Sequence, residues 1–103
     1  MKLVYVSGNY TNGDVAQNVK AAIDAGDRLL EQGYIPFIPH LTHLWAIVSP
    51  KPHSTWMMID GAILGRADAI YMMKGWESSN GAVMELSLAV SMGKEIIYEE
   101  DLP

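Results

Sequence analysis

The 103-residue chain has no cysteine, a single phenylalanine and only 18% charged side chains. Without cysteine there is no disulfide staple, no thiolate zinc ligand and no thiol nucleophile. Basic residues are scarce as well: seven Lys and Arg against twelve Asp and Glu leave a formal charge of −5. That sign argues against a nucleic-acid polymer or an anionic membrane as the main partner. No apolar run approaches the ~18 residues of a membrane span. The opening run Met1–Val6 breaks at Ser7-Gly8-Asn9, too soon for a signal-peptide core. A cytoplasmic protein with no membrane partner is the expectation.

What the chain does have is an apolar half, with seven Met and three Trp. That content excludes disorder and supplies one core, so a single domain over residues 1–103 is expected. Leu3–Val6 is a short β-rich run closed by Ser7-Gly8, and Asn12-Gly13-Asp14 is a turn and helix-cap cluster. Val15, Val19, Ala22, Ile23, Gly26, Leu29 and Leu30 then recur at helical spacing up to Gln32, with Gly33 as the stop. Tyr34–Ile38 reads as a strand, and its proline places it near an edge or a strand start. Leu41–Pro52 is the least regular stretch, a loop with one helical turn. Ser54 or Thr55 could cap a helix running through Arg66, with Trp56, Ile59, Ile63 and Leu64 on one face. Ala69–Met73 is a third strand and Gly75–Asn80 a loop. Ala82–Met92 is a helix with Val83, Leu86, Ala89 and Val90 facing in, and Glu95–Tyr98 is the last strand. The alternation predicts an α/β fold: a small doubly wound, flavodoxin- or Rossmann-like parallel sheet of about four strands with helices on both faces. Ligands of such sheets sit beyond the carboxyl ends of the strands, which singles out the loops after Val6, Ile38 and Met73.

Two of those loops are rich in glycine and small polar residues. Ser7-Gly8-Asn9-Tyr10-Thr11-Asn12-Gly13 leads into a helix, so its backbone N–H groups could approach an anion. It is neither a Walker A loop nor a G-x-G-x-x-G fingerprint, and a plain strand-to-helix turn explains it equally well. Gly75-Trp76-Glu77-Ser78-Ser79-Asn80-Gly81 precedes Ala82-Val83-Met84-Glu85. Glu85 falls about one turn into the helix among apolar neighbours, where the positive helix end favours a carboxylate.

The set Tyr5-x-Ser7-Gly8, Asp60, Ala67-Asp68-Ala69, Ser79-x-Gly81-x-x-x-Glu85, Ala89 and Gly93-Lys94 resembles the nucleoside 2-deoxyribosyltransferase-like superfamily. That superfamily includes deoxyribosyltransferases and nucleoside 5′-monophosphate N-glycosidases. The resemblance spans nearly the whole chain and is closest to a compact phage and bacterial subfamily of unknown function. It implies N-glycosidic chemistry through a covalent glycosyl-Glu, with Glu85 as nucleophile, Tyr5 positioning it and Asp60 as the acid for the leaving base. It also implies a small-molecule nucleoside or nucleotide partner, no cofactor and no metal. Ser79 matches the serine of the phosphate-recognising N-glycosidases. The substrate-binding candidates are Ser7, Gly8 and Asn9 in the first loop and Trp76, Ser79, Asn80 and Gly81 in the second. Val83 stands where the N-glycosidases carry a second glycine, and a β-branched side chain there is expected to narrow the sugar's space.

Other features carry less. His40, His43 and His53 lack acidic partners at ligand spacing, so packing or contact with a substrate base is expected of them rather than a metal. Arg66 and Lys74 are the candidate cations for a phosphate, and Asp68 a cap for an element end. Trp45, Trp56, Met57 and Met58 form an apolar excess that a second copy would bury, predicting a homo-oligomer. Two function classes remain open: an N-glycosidase or transferase, and a non-catalytic nucleotide-binding or sensing module.

Overall fold

In the computed structural model, which describes residues 1–102, the elements run β1 (Leu3–Ser7), α1 (Val15–Glu31), β2 (Ile35–Phe37), α2 (His43–Val48), α3 (His53–Arg66), β3 (Ala69–Met72), α4 (Asn80–Ser91) and β4 (Glu95–Tyr98). All strand pairs are parallel, in the order β2-β1-β3-β4. The expected doubly wound sheet of four strands is therefore the fold. The chain moves outward from β1 to β2, then crosses back to β3 on β1's other side. Connections leaving β1 and β3 in opposite directions open a crevice at their carboxyl ends.

Side-chain alternation along the strands divides the core in two. Val4, Val6, Ala69 and Tyr71 pack under Ala22, Ala25 and Leu29 of α1. Tyr5, Ile70 and Met72 pack under Leu64 of α3 and Ala82 and Ala89 of α4. The Asp14 side chain accepts from the N–H of Ala16 at 2.9 Å and starts α1, and Gly33 at φ +87° ends it. Asp68 Oδ2 accepts from Leu3 N–H at 2.8 Å, tying the starts of β1 and β3 together.

Several expectations need correction. Neither Ser54 nor Thr55 caps α3, which begins at His53 after Pro52 with no side-chain cap. The irregular stretch forms a 3-10 turn at Pro39–Thr42 and then α2. On α1, Ile23 and Leu30 are exposed and Ala25 is buried instead. On α4, Val83 and Val90 face solvent, 40% and 62% exposed, because the inward row is Ala82, Glu85, Leu86 and Ala89. A carboxylate occupies the place an apolar side chain was expected to fill.

Candidate active site

The period of two along β1 places Tyr5 and Ser7 on the same sheet face, under α4. Glu85 comes down onto them from one turn inside α4. The Tyr5 hydroxyl donates to Glu85 Oε2, and Ser7 Oγ donates to Oε1 at 2.7 Å, so both carboxylate oxygens are held. Burial pushes Glu85 above the ordinary carboxylate value, and the two hydroxyl donors oppose that shift by favouring the charged form. Burial, and then the charges of Glu85 and Asp60, drive the Tyr5 phenol far upward, which keeps it a proton donor.

Asp60, two turns into α3, faces this carboxylate. Its pKa is pushed up to about 6, first by burial and then by the charge on Glu85. Its Oδ1 is buried without a hydrogen-bond partner. Two carboxyl groups in one cleft are thus held differently: two hydroxyl donors favour the charged form of Glu85, whereas Asp60 Oδ1 has no donor and Asp60 feels the charge on Glu85.

Both groups line a cavity of about 780 Å³ at the carboxyl ends of the strands. Its walls come from the segments after β1 (Gly8, Tyr10, Thr11, Asn12), after β2 (Pro39, His40, Thr42) and after β3 (Ser78–Ala82). On α3, His53, Trp56, Met57 and Asp60 form one wall at i, i+3, i+4, i+7 spacing. Lys51 lies at the same wall. Gly8 is required by close approach, since a Cβ there would lie 2.6 Å from Met73 Sδ. Asn9 Nδ2 donates to the Gly75 carbonyl at 2.9 Å and Asn12 Nδ2 to the Ser78 carbonyl at 3.2 Å, locking the first loop to the second. Ser79 Oγ accepts from Ala82 N–H at 3.1 Å and caps α4, which leaves its hydroxyl proton free to donate.

His40 is 5% exposed, and its Nε2–H donates to the Asn9 carbonyl at 3.0 Å. Burial lowers its pKa, so the ring is neutral and Nδ1 is a buried acceptor with no partner. The Tyr10 ring meets His40 and His43 edge-on and its hydroxyl is hydrogen-bonded to His43 Nδ1.

Of the residues singled out from the sequence, Glu85, Asp60, Gly8, Ser79, Asn80 and Gly81 share the cavity wall. Tyr5 and Ser7 lie one layer behind it, 0% and 1% exposed, and touch Glu85 instead. Asn9 braces the loops rather than lining the cavity. Trp76 also lies off the wall, its ring packed beside Tyr98 with centroids 6.2 Å apart. Val83 does not narrow the site, because it points outward. Arg66 turns back onto the Ala62 carbonyl at 3.1 Å, and neither it nor Lys74 lines the cavity. Tyr10 and Lys51 were missed as site residues. Tyr10 sits in a loop that the strand-end rule already selected, and Lys51 stands out as Pro50-Lys51-Pro52.

A switch-point cleft holding a hydroxyl-clamped carboxylate and a second carboxyl across from it lies where parallel α/β domains bind their ligands. Residues 2–98 match the family model described as a domain of unknown function, DUF4406, and the chain belongs to that family. No curated protein matches it.

Proposed function

We propose that the protein breaks the N-glycosidic bond of a nucleoside or nucleoside 5′-monophosphate through a covalent glycosyl-Glu85. The observation that carries this reading is Glu85 itself: a buried carboxylate at a cavity wall, fixed through both oxygens by Tyr5 and Ser7. A carboxylate so held is oriented for in-line attack, and solvent does not compete for its charge. In the first step a Glu85 oxygen bonds to the anomeric carbon as the carbon–nitrogen bond breaks. The bond's electron pair leaves with the base, which takes the proton from Asp60. In the second step Asp60, now a carboxylate, removes a proton from water. The resulting hydroxyl attacks the anomeric carbon and releases Glu85, so configuration is retained. A second base in place of water gives transfer. Ser79, with the backbone N–H groups of Gly8 and Gly81, is the proposed phosphate contact.

The non-catalytic binding module is the alternative, and one experiment separates the two. Incubated with a panel of nucleosides and their monophosphates, the wild-type chain releases free base by chromatography. Glu85→Gln abolishes release while calorimetric affinity stays within about threefold. Base release by Glu85→Gln at the wild-type rate rejects the nucleophile, and binding without release by the wild type supports the module. Exposed apolar side chains on α2 and α4 further support our proposal that the working form is a homo-oligomer.

A further inference from the structure

Seven Lys and Arg residues serve the whole chain, and Lys51 alone among them lines the cavity. The others pair with carboxylates or carbonyls, or lie off the cavity. Among the described residues no carboxylate pairs with Lys51. Its ammonium lies 5.4 Å from the centroid of the Trp45 ring and donates to Ser49 Oγ at 3.2 Å. Trp45 in turn packs edge-on against the cavity-lining Trp56, with centroids 5.2 Å apart and an interplanar angle of 89°. Prolines 50 and 52 flank the lysine and restrict the backbone on both sides. A flexible side chain is therefore delivered from a stiff segment over an aromatic platform, so part of its ordering cost is met before anything binds.

The setting defines what this cation can take. The protein carries a net charge of −5, and among the described residues the only acidic side chains at the cavity are Asp60 and Glu85. An anionic ligand approaching such a molecule is repelled unless a local cation reverses the field at the mouth. Asp60 and His53 lie at opposite ends of one α3 stripe, about 10 Å apart along the axis at ~1.5 Å per residue. Lys51 lies two residues before His53, beyond the end of the stripe that is away from Asp60. We propose that Lys51 is a specificity residue that selects a phosphorylated nucleoside over its unphosphorylated counterpart. The assignment rests on the N-glycosidic reading of the cavity but is testable by binding alone.

The test uses the full chain, a 2′-deoxyribonucleoside 5′-monophosphate and the matching nucleoside. Binding is measured by calorimetry and cleavage by base release, for wild type, Lys51→Gln and Lys51→Arg. Lys51→Gln is expected to weaken monophosphate binding and raise its KM by roughly tenfold, the scale of a charge-assisted hydrogen bond. kcat and all values for the nucleoside stay within twofold. Lys51→Arg restores most of the loss. Inorganic phosphate, as a competitor of monophosphate binding, weakens in parallel in Lys51→Gln. Equal changes for monophosphate and nucleoside, or no change for the monophosphate, overturn the assignment, as does a wild type that binds neither better than the other. If the wild type binds the monophosphate but releases no base, the N-glycosidase reading fails while the binding arm still decides the role of Lys51.

Discussion

Tyr5 and Ser7 decide how Glu85 titrates, because each donates a hydroxyl proton to its charged form. Tyr5→Phe keeps the ring packing beside Phe37 and removes only the donor. The Glu85 pKa then rises further, so the acid limb of the kcat/KM profile moves to higher pH and the value at the optimum falls roughly 10–100-fold. Ser7→Ala acts in the same direction through the other oxygen. An unmoved acid limb in both variants removes Glu85 from the titration. In the proposed mechanism Asp60 sets the other limb. With its pKa at about 6, proton donation to the leaving base declines above that pH, and Asp60→Asn abolishes the limb together with about 10²–10⁴-fold in rate. Stability carries the opposite sign from a salt-bridged carboxylate. The folded pKa lies above the ordinary 3.8, so the folded state binds the extra proton between those values and loses stability as pH rises through about 6. Asp60→Asn should therefore melt above the wild type at pH 8 and match it below pH 4. That Tyr5, Asp60 and Glu85 come together was legible in the chain, since the resemblance read from the sequence puts them in one pattern. The layer behind the wall was less so. Ser7 looks like a loop residue that meets substrate, yet strand periodicity turns its hydroxyl onto Glu85.

Strands and long helices were readable because their apolar periods are clean, and the loops after β1, β2 and β3 do form the cavity. The faces of α4 were misread for a physical reason. A helix period assigns the inward row to Val83, Leu86, Ala89 and Val90, but Glu85 has two buried hydroxyls waiting for it and takes that side. The helix turns accordingly, and Val83 and Val90 meet solvent. The start of α3 was misread because Pro52 brings the chain in without a capping side chain. At α4 the cap and the proposed phosphate contact fall on the same hydroxyl, and two substitutions separate them. Ser79→Ala removes the acceptor for Ala82 N–H and costs about 1 kcal/mol, which lowers Tm by roughly 4–8 °C. It also weakens monophosphates more than nucleosides. Asp caps a helix as well as Ser does, so Ser79→Asp keeps Tm close to wild type. Its charge nonetheless repels a phosphate at the same place, and monophosphate binding falls further than in Ser79→Ala. Equal losses for both substrate classes in both variants would show that Ser79 is a cap alone.

At the scale of the molecule the apolar excess has two destinations. Trp56 and Met57 belong to the cavity wall, whereas Met58 is 68% exposed and Trp45 47%. A second, largely apolar groove of about 420 Å³ runs between α3 and α4, lined by Met57, Gly61, Met84, Ser87 and Leu88, with Glu85 at its edge. Met57, Met84 and Glu85 border both the groove and the main cavity. A copy of the chain seated on this face would bury Met84 and Leu88, now 56% and 39% exposed. It would also cover the groove where Glu85 borders it. Self-association through α3 and α4 is therefore expected to support both stability and chemistry. Leu88→Glu introduces a charge that such an interface would strand without a partner, at a cost of several kcal/mol. Sedimentation at micromolar concentration should show an oligomer for the wild type and a monomer for Leu88→Glu, with unchanged far-ultraviolet circular dichroism because Leu88 is not a core residue. kcat should fall with the mass, since Met57, Met84 and Glu85 border both the groove and the main cavity, and should recover as protein concentration drives reassembly. A wild type that sediments as a monomer, or a Leu88→Glu variant that keeps the wild-type mass, would place the interface elsewhere or remove it.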